Sequence, residues 1–354
     1  MSGQRSANVD GLGLIGGSIA RALTDRGWLV TGDDADPQRV ADALDRRIIA
    51  AAGLDVDAEI TFVAVPVLAV ADRVRRALAN TGGIVTDVGS VKASIVADVD
   101  DPRFVGGHPM AGSELEGLDG ADPTLFDGAV WVLTPTPVTA DSTFSAVASI
   151  VGELGAEVVA LSAEGHDRMV AVTSHVPHLT AATLMALASE RAEEHAALLR
   201  LAAGGFRDMT RIASGHPAIW LDICTQNRPA IVAALDALID GLGEMREIVQ
   251  GDDRSRLHEL LGRAREARAN LPVRGARPEE LAEVRIPIPD RPGGAAEVFT
   301  LAAELAVNIA SFEVVHSAEG ARGVAVVLVG VDDIERYRGG LIARGYRPAV
   351  QRLG

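Results

Sequence analysis

Gly11, Gly13 and Gly16 fall in the order G-x-G-x-x-G, with Gly17 and Ser18 directly behind them. Glycines at that spacing form a turn that lets a pyrophosphate approach the backbone and rest on the N-terminus of the next helix. Such a turn calls for a downstream carboxylate to reach an adenosine ribose, and Asp33 and Asp34 stand at a suitable distance. Two carboxylates there repel a 2'-phosphate, so NAD is favoured over NADP. On this reading Gly11, Leu12, Gly13, Leu14, Ile15, Gly16, Asp33 and Asp34 contact the cofactor. The rest of the chain must then supply a substrate to oxidise or reduce.

Three further clusters carry chemistry. His108 follows Gly106-Gly107 and precedes Pro109-Met110-Ala111-Gly112, a tight loop in which packing is a poor reason for an imidazole. A histidine there can accept the hydroxyl proton while a carbinol loses hydride. Ser174-His175-Val176-Pro177-His178 reads as a polar substrate pocket, with Pro177 breaking the helix near it. No third ligand has metal spacing, and His166 lies too far upstream to change that, so no metal is expected. Arg207 and Arg211 stand one helical turn apart after Gly204-Gly205 and form a fork suited to a carboxylate. Asp208 is a competing partner for one of them, and Trp220 is expected to pack between helices. Ser90 follows Asp87 and either bonds a substrate hydroxyl or caps the next helix. Lys92 is the only lysine in the chain, with no role assigned by its neighbours.

These residues need a scaffold. The first part alternates strand and helix signals: helix Ile19–Arg26, strand Leu29–Gly32, helix 37–52, strand Ile60–Val65, helix 67–79, strand 83–87, then strands 104–107 and 129–134. Helical connections imply a mostly parallel Rossmann-type sheet whose carboxyl edge gathers Val65, Pro66, Ser90 and His108. The first strand is the weak point: Ala7-Asn8-Val9-Asp10 is polar for a central strand, and Asp10 puts negative charge near the pyrophosphate. It is expected to be short, or to lower cofactor affinity. Residues 162–275 are Ala- and Leu-rich and helical, with more apolar surface than one small bundle buries, which points to a homodimer. Residues 281–354 return to a β-α-β-β-α-β order, a small ferredoxin-like α+β module. The expected domains are 1–161, 162–275 and 281–354.

Composition sets outer bounds. The 354 residues are 48% hydrophobic and 23% charged, as in a folded globular protein, and the length suits two or three domains. A net charge of -16 with no basic run argues against nucleic acid. Cys224 is the single cysteine, so no internal disulfide forms. Residues 1–8 have no apolar core and no stretch nears membrane-spanning length, so no membrane partner is expected and the cytoplasm is the default compartment.

Taken together, the segments Gly11-Leu12-Gly13-Leu14-Ile15-Gly16-Gly17-Ser18, Asp87-Val88-Gly89-Ser90-Val91-Lys92, Gly107-His108-Pro109-Met110-Ala111-Gly112, Ser174 to His178 and Thr210-Arg211-Ile212-Ala213 resemble the prephenate dehydrogenase family of tyrosine biosynthesis, with its arogenate-using relatives. The resemblance implies that His108 accepts the ring-hydroxyl proton of prephenate with support from Ser90. It further implies that Ser174, His175 and His178 line the pocket, that Arg211 binds a substrate carboxylate, and that Glu114 is the acidic residue of the pocket and its gating. Asp34 matches the family's aspartate after the second strand, with Asp33 where a tyrosine is frequent. The implied reaction sends hydride to NAD and carbon dioxide to solvent, giving 4-hydroxyphenylpyruvate. From residue 281, Ile288-Pro289-Asp290-Arg291-Pro292-Gly293 and Val307-Asn308-Ile309 resemble the opening of an ACT domain, which implies a tyrosine effector; a dimerisation module without ligand is the alternative. Arogenate dehydrogenase, a hydroxyacid or imine dehydrogenase of the same architecture, and a non-catalytic nucleotide or amino-acid sensor are the competing functions.

Overall fold

A computed structural model describes residues 4–113, 115–194, 198–215, 217–270, 281–289, 293–316 and 322–352. They fall into two compact units, residues 1–240 and 241–354. The first unit is built on strands β1 (Ser6–Asp10), β2 (Leu29–Asp33), β3 (Ala51–Ala52), β4 (Ile60–Val63), β5 (Ile84–Asp87), β6 (Phe104–Pro109), β7 (Val130–Thr134) and β8 (Glu157–Ala160). Their order across the sheet is β3-β2-β1-β4-β5-β6-β7-β8. All neighbours run parallel except β6 and β7, which are antiparallel. Helices α1 (Leu14–Asp25), α2 (Pro37–Asp45), α3 (Val67–Asn80), α4 (Ala93–Ala97) and α5 (Asp141–Glu153) connect strands of this sheet. The strand order reverses at β1 and β4, so a crevice opens at their carboxyl ends, where α1 and α3 begin.

The polar first strand is a full five residues, and its polarity is internally satisfied. Asn8 is fully buried; its Nδ2 donates to the Asp55 carbonyl at 2.9 Å and the Thr61 hydroxyl at 3.0 Å. Its Oδ1 accepts from the Asp55 amide at 2.8 Å and the Thr31 hydroxyl at 2.5 Å. Asp10 is also fully buried, and Arg73 of α3 clasps its carboxylate through two guanidinium nitrogens. The expectation of a shortened strand therefore fails: a central strand tolerates polar side chains when each finds its partners. Arg73 also balances the Asp10 charge that sequence reading sets against the pyrophosphate.

The expected helix over 37–52 ends at Asp45, because Arg47 takes a left-handed φ of 56° and Ala51–Ala52 then pair with β2. The helical region comprises α6 (Ala163–Val170), a π-helical turn over Ala171–His175, α7 (Val176–Glu194), α8 (Gly204–Thr210), a 3-10 turn at Arg211–Ser214, α9 (Pro217–Gln226) and α10 (Arg228–Gln250), whose residues from Gly241 on count with the second unit. Pro177 sits in the first turn of α7 and does not end the helix; the irregularity is the π turn before it. Residues Ala163–Arg191 form one stretch long and apolar enough to cross a membrane by length and composition. This differs from the sequence expectation, yet the stretch carries buried His166, Asp167 and His175. Helices α9 and α10 are divided at Asn227, whose side chain is buried.

In the second unit, α11 (Arg254–Ala269) precedes β9 (Leu281–Pro289), α12 (Gly294–Glu304), β10 (Ile309–His316), β11 (Arg322–Gly330), α13 (Ile334–Ala343) and β12 (Ala349–Arg352). The antiparallel order β10-β11-β9-β12 matches the expected ferredoxin-like β-α-β-β-α-β module. Val284, Ile286 and Ile288 alternate inward along β9 and pack with Val298, Leu301, Tyr337 and Leu341 of the two helices.

The Asp10–Arg73 pair gives a stability prediction. Replacing Arg73 with methionine keeps the stem and strands a buried carboxylate, so unfolding free energy from urea titration at pH 7 falls by about 3 kcal/mol. The double variant Asp10→Asn, Arg73→Met recovers a measurable part of that loss.

Candidate active site

The glycine turn is shaped for a ligand. Gly11 has φ 103°, and a Cβ on it would lie 2.3 Å from the Ala64 carbonyl oxygen. A Cβ on Gly16 would lie 1.9 Å from the Gly11 carbonyl oxygen, so α1 approaches the turn closely only because that position is bare. At Gly13, by contrast, no atom lies within 4 Å of where a Cβ would be, because this position faces the crevice. Gly13 caps α1 without a side-chain bond, which leaves the helix N-terminus to the crevice. The cavity here measures about 560 Å³ and its wall includes Gly11, Gly13, Leu14, Ile15, Asp34, Val65, Pro66 and Ser90.

Three residues nominated with them lie behind that wall. Leu12 is buried in the core and its N–H donates to Asp34 at 2.7 Å. Gly16 is buried beneath the turn. Asp33 pairs with Arg73 at 3.3 Å and Arg76 at 3.8 Å. Asp34 receives a second backbone bond from Asp36 at 2.9 Å, so it braces both the glycine turn and the start of α2.

Lys92 is fully buried, and its role is now legible. Its ammonium pairs with the Asp87 carboxylate at the end of β5 and donates to the Gly107 carbonyl at 2.8 Å. Burial pulls the lysine pKa down while Asp87 pushes it back up. Asp87 in turn accepts from the Gly107 amide at 3.1 Å and the Gly89 amide at 2.8 Å. The pair thereby holds both the amide and the carbonyl of Gly107, the residue before His108, and the loop before Ser90. Gly107 must be bare, since a Cβ there would lie 2.6 Å from the Asp87 carbonyl oxygen.

His108 emerges from β6 with its ring half-buried. Its Nδ1 lies 2.8 Å from Nε2 of His166, and Nδ1 of His166 lies 2.8 Å from the Asp167 carboxylate. Asp167 also accepts the amides of Lys92 at 2.8 Å and Ala93 at 2.9 Å, capping α4 from another element. Burial, the largest cause, holds the His108 pKa well below 6.5, so the ring is neutral at pH 7.

The second histidine cluster sits on the π turn and α7. His175 is buried, with Nδ1 3.2 Å from the Asn227 amide, and Asn227 donates to the Asp167 carbonyl at 2.8 Å. Burial lowers the His175 pKa to about 4, so this ring too is uncharged at pH 7. Ser174 is half-buried beside it. His178 stacks on Trp220 with ring centroids 3.6 Å apart, so Trp220 packs against a pocket histidine rather than only between helices. His178, Trp220, Ala213, Gly215, Cys224 and Arg228 share a second cavity of about 530 Å³. Arg207 is exposed on α8 and donates to the Ala202 carbonyl at 3.3 Å; exposed Arg211 opens the 3-10 turn that packs on α7. Glu114 lies outside the described residues. Among the described residues no three His, Cys, Asp or Glu side chains gather as a metal site.

Sequence reading misses His166, Asp167, Asp87 and Asn227 as parts of this network. The first two carry a visible signal only in their adjacency, since their partners lie on β6 and α4. Asn227 carries one in its position as a polar break inside an apolar helical run.

This arrangement has relatives. A model of the prephenate dehydrogenase nucleotide-binding domain matches residues 19–160, and one of the prephenate dehydrogenase dimerization domain matches residues 162–263. Prephenate dehydrogenase of Bacillus subtilis (strain 168) is 32% identical over 341 residues, covering 91% of this chain and 91% of that protein. Among solved structures, prephenate dehydrogenase from Aquifex aeolicus in complex with hydroxyphenyl propionate and NAD+ aligns with TM-score 0.72 and 28% identity, covering 76% of this chain and 99% of that one. Synechocystis arogenate dehydrogenase aligns with TM-score 0.66 and 30% identity, over 74% of this chain and 98% of that one. The glycine crevice, the histidine network and a match along nearly the whole length of a relative lead to one statement: this chain belongs to the prephenate dehydrogenase family.

Proposed function

We propose that this chain is an NAD-dependent dehydrogenase that oxidatively decarboxylates prephenate to 4-hydroxyphenylpyruvate and carbon dioxide, in tyrosine biosynthesis. One observation carries the reading: a neutral His108 stands at the end of β6, next to β5, whose following loop puts Ser90 on the wall of the glycine-turn cavity. A base and a dinucleotide groove on neighbouring strand ends suit a reaction in which a hydroxyl loses its proton while the same carbon loses hydride.

The uncapped start of α1 and the bare Gly11 and Gly13 fit a pyrophosphate, and Asp34 is the ribose carboxylate. Leu14, Ile15, Val65, Pro66 and Ser90 form the wall beyond, while Leu12, Gly16 and Asp33 brace it. NAD, when bound, supplies the hydride acceptor. His108 takes the 4-hydroxyl proton at Nε2 and returns it to the phenol oxygen as the ring carboxylate leaves. Ser90 steadies the hydroxyl. Because His175 is neutral, it and Ser174 act as hydrogen-bonding groups, and binding of substrate carboxylates falls to Arg211 with Arg207 nearby. The cavity beside His178 has Arg228 and no carboxylate among its described lining residues, which supports a keto-acid side chain over the ammonium of arogenate.

Two further parts of the reading concern assembly and control. Ile219, Leu221, Val232 and Ile239 of α9 and α10 are exposed, which supports a homodimer burying them. The β-α-β-β-α-β module supports an ACT-like role with tyrosine as effector.

Four measurements test this. NADH formation is followed with prephenate and arogenate side by side, with and without tyrosine; prephenate is expected to give the higher kcat/KM, tyrosine to reduce it, and a preference for arogenate overturns the substrate assignment. His108→Asn lowers kcat at least about 100-fold with the NAD dissociation constant within about twofold of the parent. In the parent, the acid limb of kcat/KM lies below pH 6.5, since the base must be unprotonated and burial depresses its pKa. Gly13→Val fills the open side of the turn: NAD affinity falls more than about tenfold with an unchanged melting temperature.

A further inference from the structure

The contacts behind His108 have a direction. Its Nδ1 is 2.8 Å from His166, while Nε2 has no protein partner among the described residues. His166 is fully buried, and its other nitrogen is held by Asp167 at 2.8 Å. A carboxylate accepts only, so Nδ1 of His166 carries a proton. Two arrangements then remain for the pair of imidazoles. If His166 is neutral, its Nε2 accepts from Nδ1–H of His108, and Nε2 of His108 is a free lone pair. If His166 is an imidazolium, it donates to Nδ1 of His108, and the proton of a neutral His108 sits on Nε2, where it blocks base catalysis.

The base role proposed for His108 selects the first arrangement, because only there is Nε2 of His108 bare. Lys92 and Asp87 face this site as a buried pair whose charges cancel, and His175 is neutral. Asp167 also accepts two backbone amides, which hold its carboxylate in place behind His166.

We infer that His166, oriented by Asp167, is a positioning residue that fixes the Nδ1–H tautomer of His108 and shares the charge of the proton His108 accepts. The inference rests on the proposed dehydrogenase reading. The proton passes from the substrate hydroxyl to Nε2 of His108. The imidazolium formed keeps its Nδ1–H directed at Nε2 of His166, whose ring is polarised by Asp167. Nothing is oxidised or reduced in this part of the reaction, and the proton returns by the same route. Asn227 holds the helix in place by donating to the Asp167 carbonyl.

The test uses His166→Gln and His166→Phe in the full-length protein. Both are expected to lower kcat by about 10- to 100-fold, a part of what a general base contributes, with KM and NAD affinity within about threefold. The acid limb of kcat/KM moves to lower pH in both, because the His108 imidazolium has lost its support. Nitrogen-15 NMR of histidine-labelled parent protein, assigned with His108→Asn, shows His108 protonated at Nδ1 and bare at Nε2; His166→Phe loses that preference. A kcat within twofold of the parent with an unmoved acid limb overturns the inference. So does an acid limb that moves upward, the sign expected on removing a cation, or a parent His108 protonated at Nε2. Failure of the parent to make NADH from prephenate or arogenate strikes the functional reading instead, and the NMR result still decides the tautomer.

Discussion

A lysine ammonium without water must be held by something, and here the holder is also what shapes the site. Lys92 and Asp87 form a fully buried ion pair whose remaining hydrogen-bonding capacity goes to backbone: the Gly107 carbonyl, the Gly107 amide and the Gly89 amide. Replacing such a pair with apolar groups is frequently neutral for stability, so its presence is better explained by what it fixes than by energy. It fixes two loops at once. Gly89 precedes Ser90, and Gly107 precedes His108, so the hydroxyl and the imidazole inherit their positions from one buried contact. The ring of His108 is then set from behind by α6, whose Asp167 also caps α4. Sheet and helical region are thus joined through hydrogen bonds that converge on a single imidazole.

The same logic of satisfied polarity runs through the centre of the sheet. Asn8 fills its side-chain amide with partners from three segments, and Asp10 is neutralised by Arg73. Arg73 lies on the crevice wall, on α3, and also approaches Asp33. A carboxylate close to a pyrophosphate site is therefore compatible with that site when a guanidinium stands between them in charge. The polar strand also rigidifies the switch point, since Asn8 ties β1 to the loop after β3 and to β4.

How far the sequence went depends on the range of the interaction concerned. The glycine turn was legible because much of what it demands falls on neighbouring positions: a positive φ at Gly11, close packing of Gly16 on Gly11, an open side at Gly13. His108 was legible from its own neighbours, glycines and a proline that give an imidazole nothing to pack against. The β-α-β-β-α-β order of residues 281–354 followed from alternation, as in Val284, Ile286 and Ile288. Other features were hidden because their causes lie far along the chain. His166 was passed over for lacking metal spacing, whereas its partner is His108 on another strand. Lys92 stood out as the sole lysine, but its meaning needed the Gly107 carbonyl. The polarity of Asn8 and Asp10 read as weakness until Thr31, Asp55, Thr61 and Arg73 were in view.

The π turn shows why such long-range effects matter for chemistry. A regular α-helix from Ala163 onward would carry each later side chain around by a constant angle, and inserting a wider turn at Ala171–His175 changes that phase. The change falls between His166, which must face β6, and His178, which stacks on Trp220. His175 lies at the end of the turn and reaches Asn227, the residue that divides α9 from α10. One helix thereby serves two tasks at different depths: backing His108 at its start and lining the cavity with Trp220 and Arg228 further on. A straight helix of the same length offers one face with one phase. Of the apolar window within residues 163–191, 33% is buried inside this chain, so its hydropathy is only partly used by these two tasks.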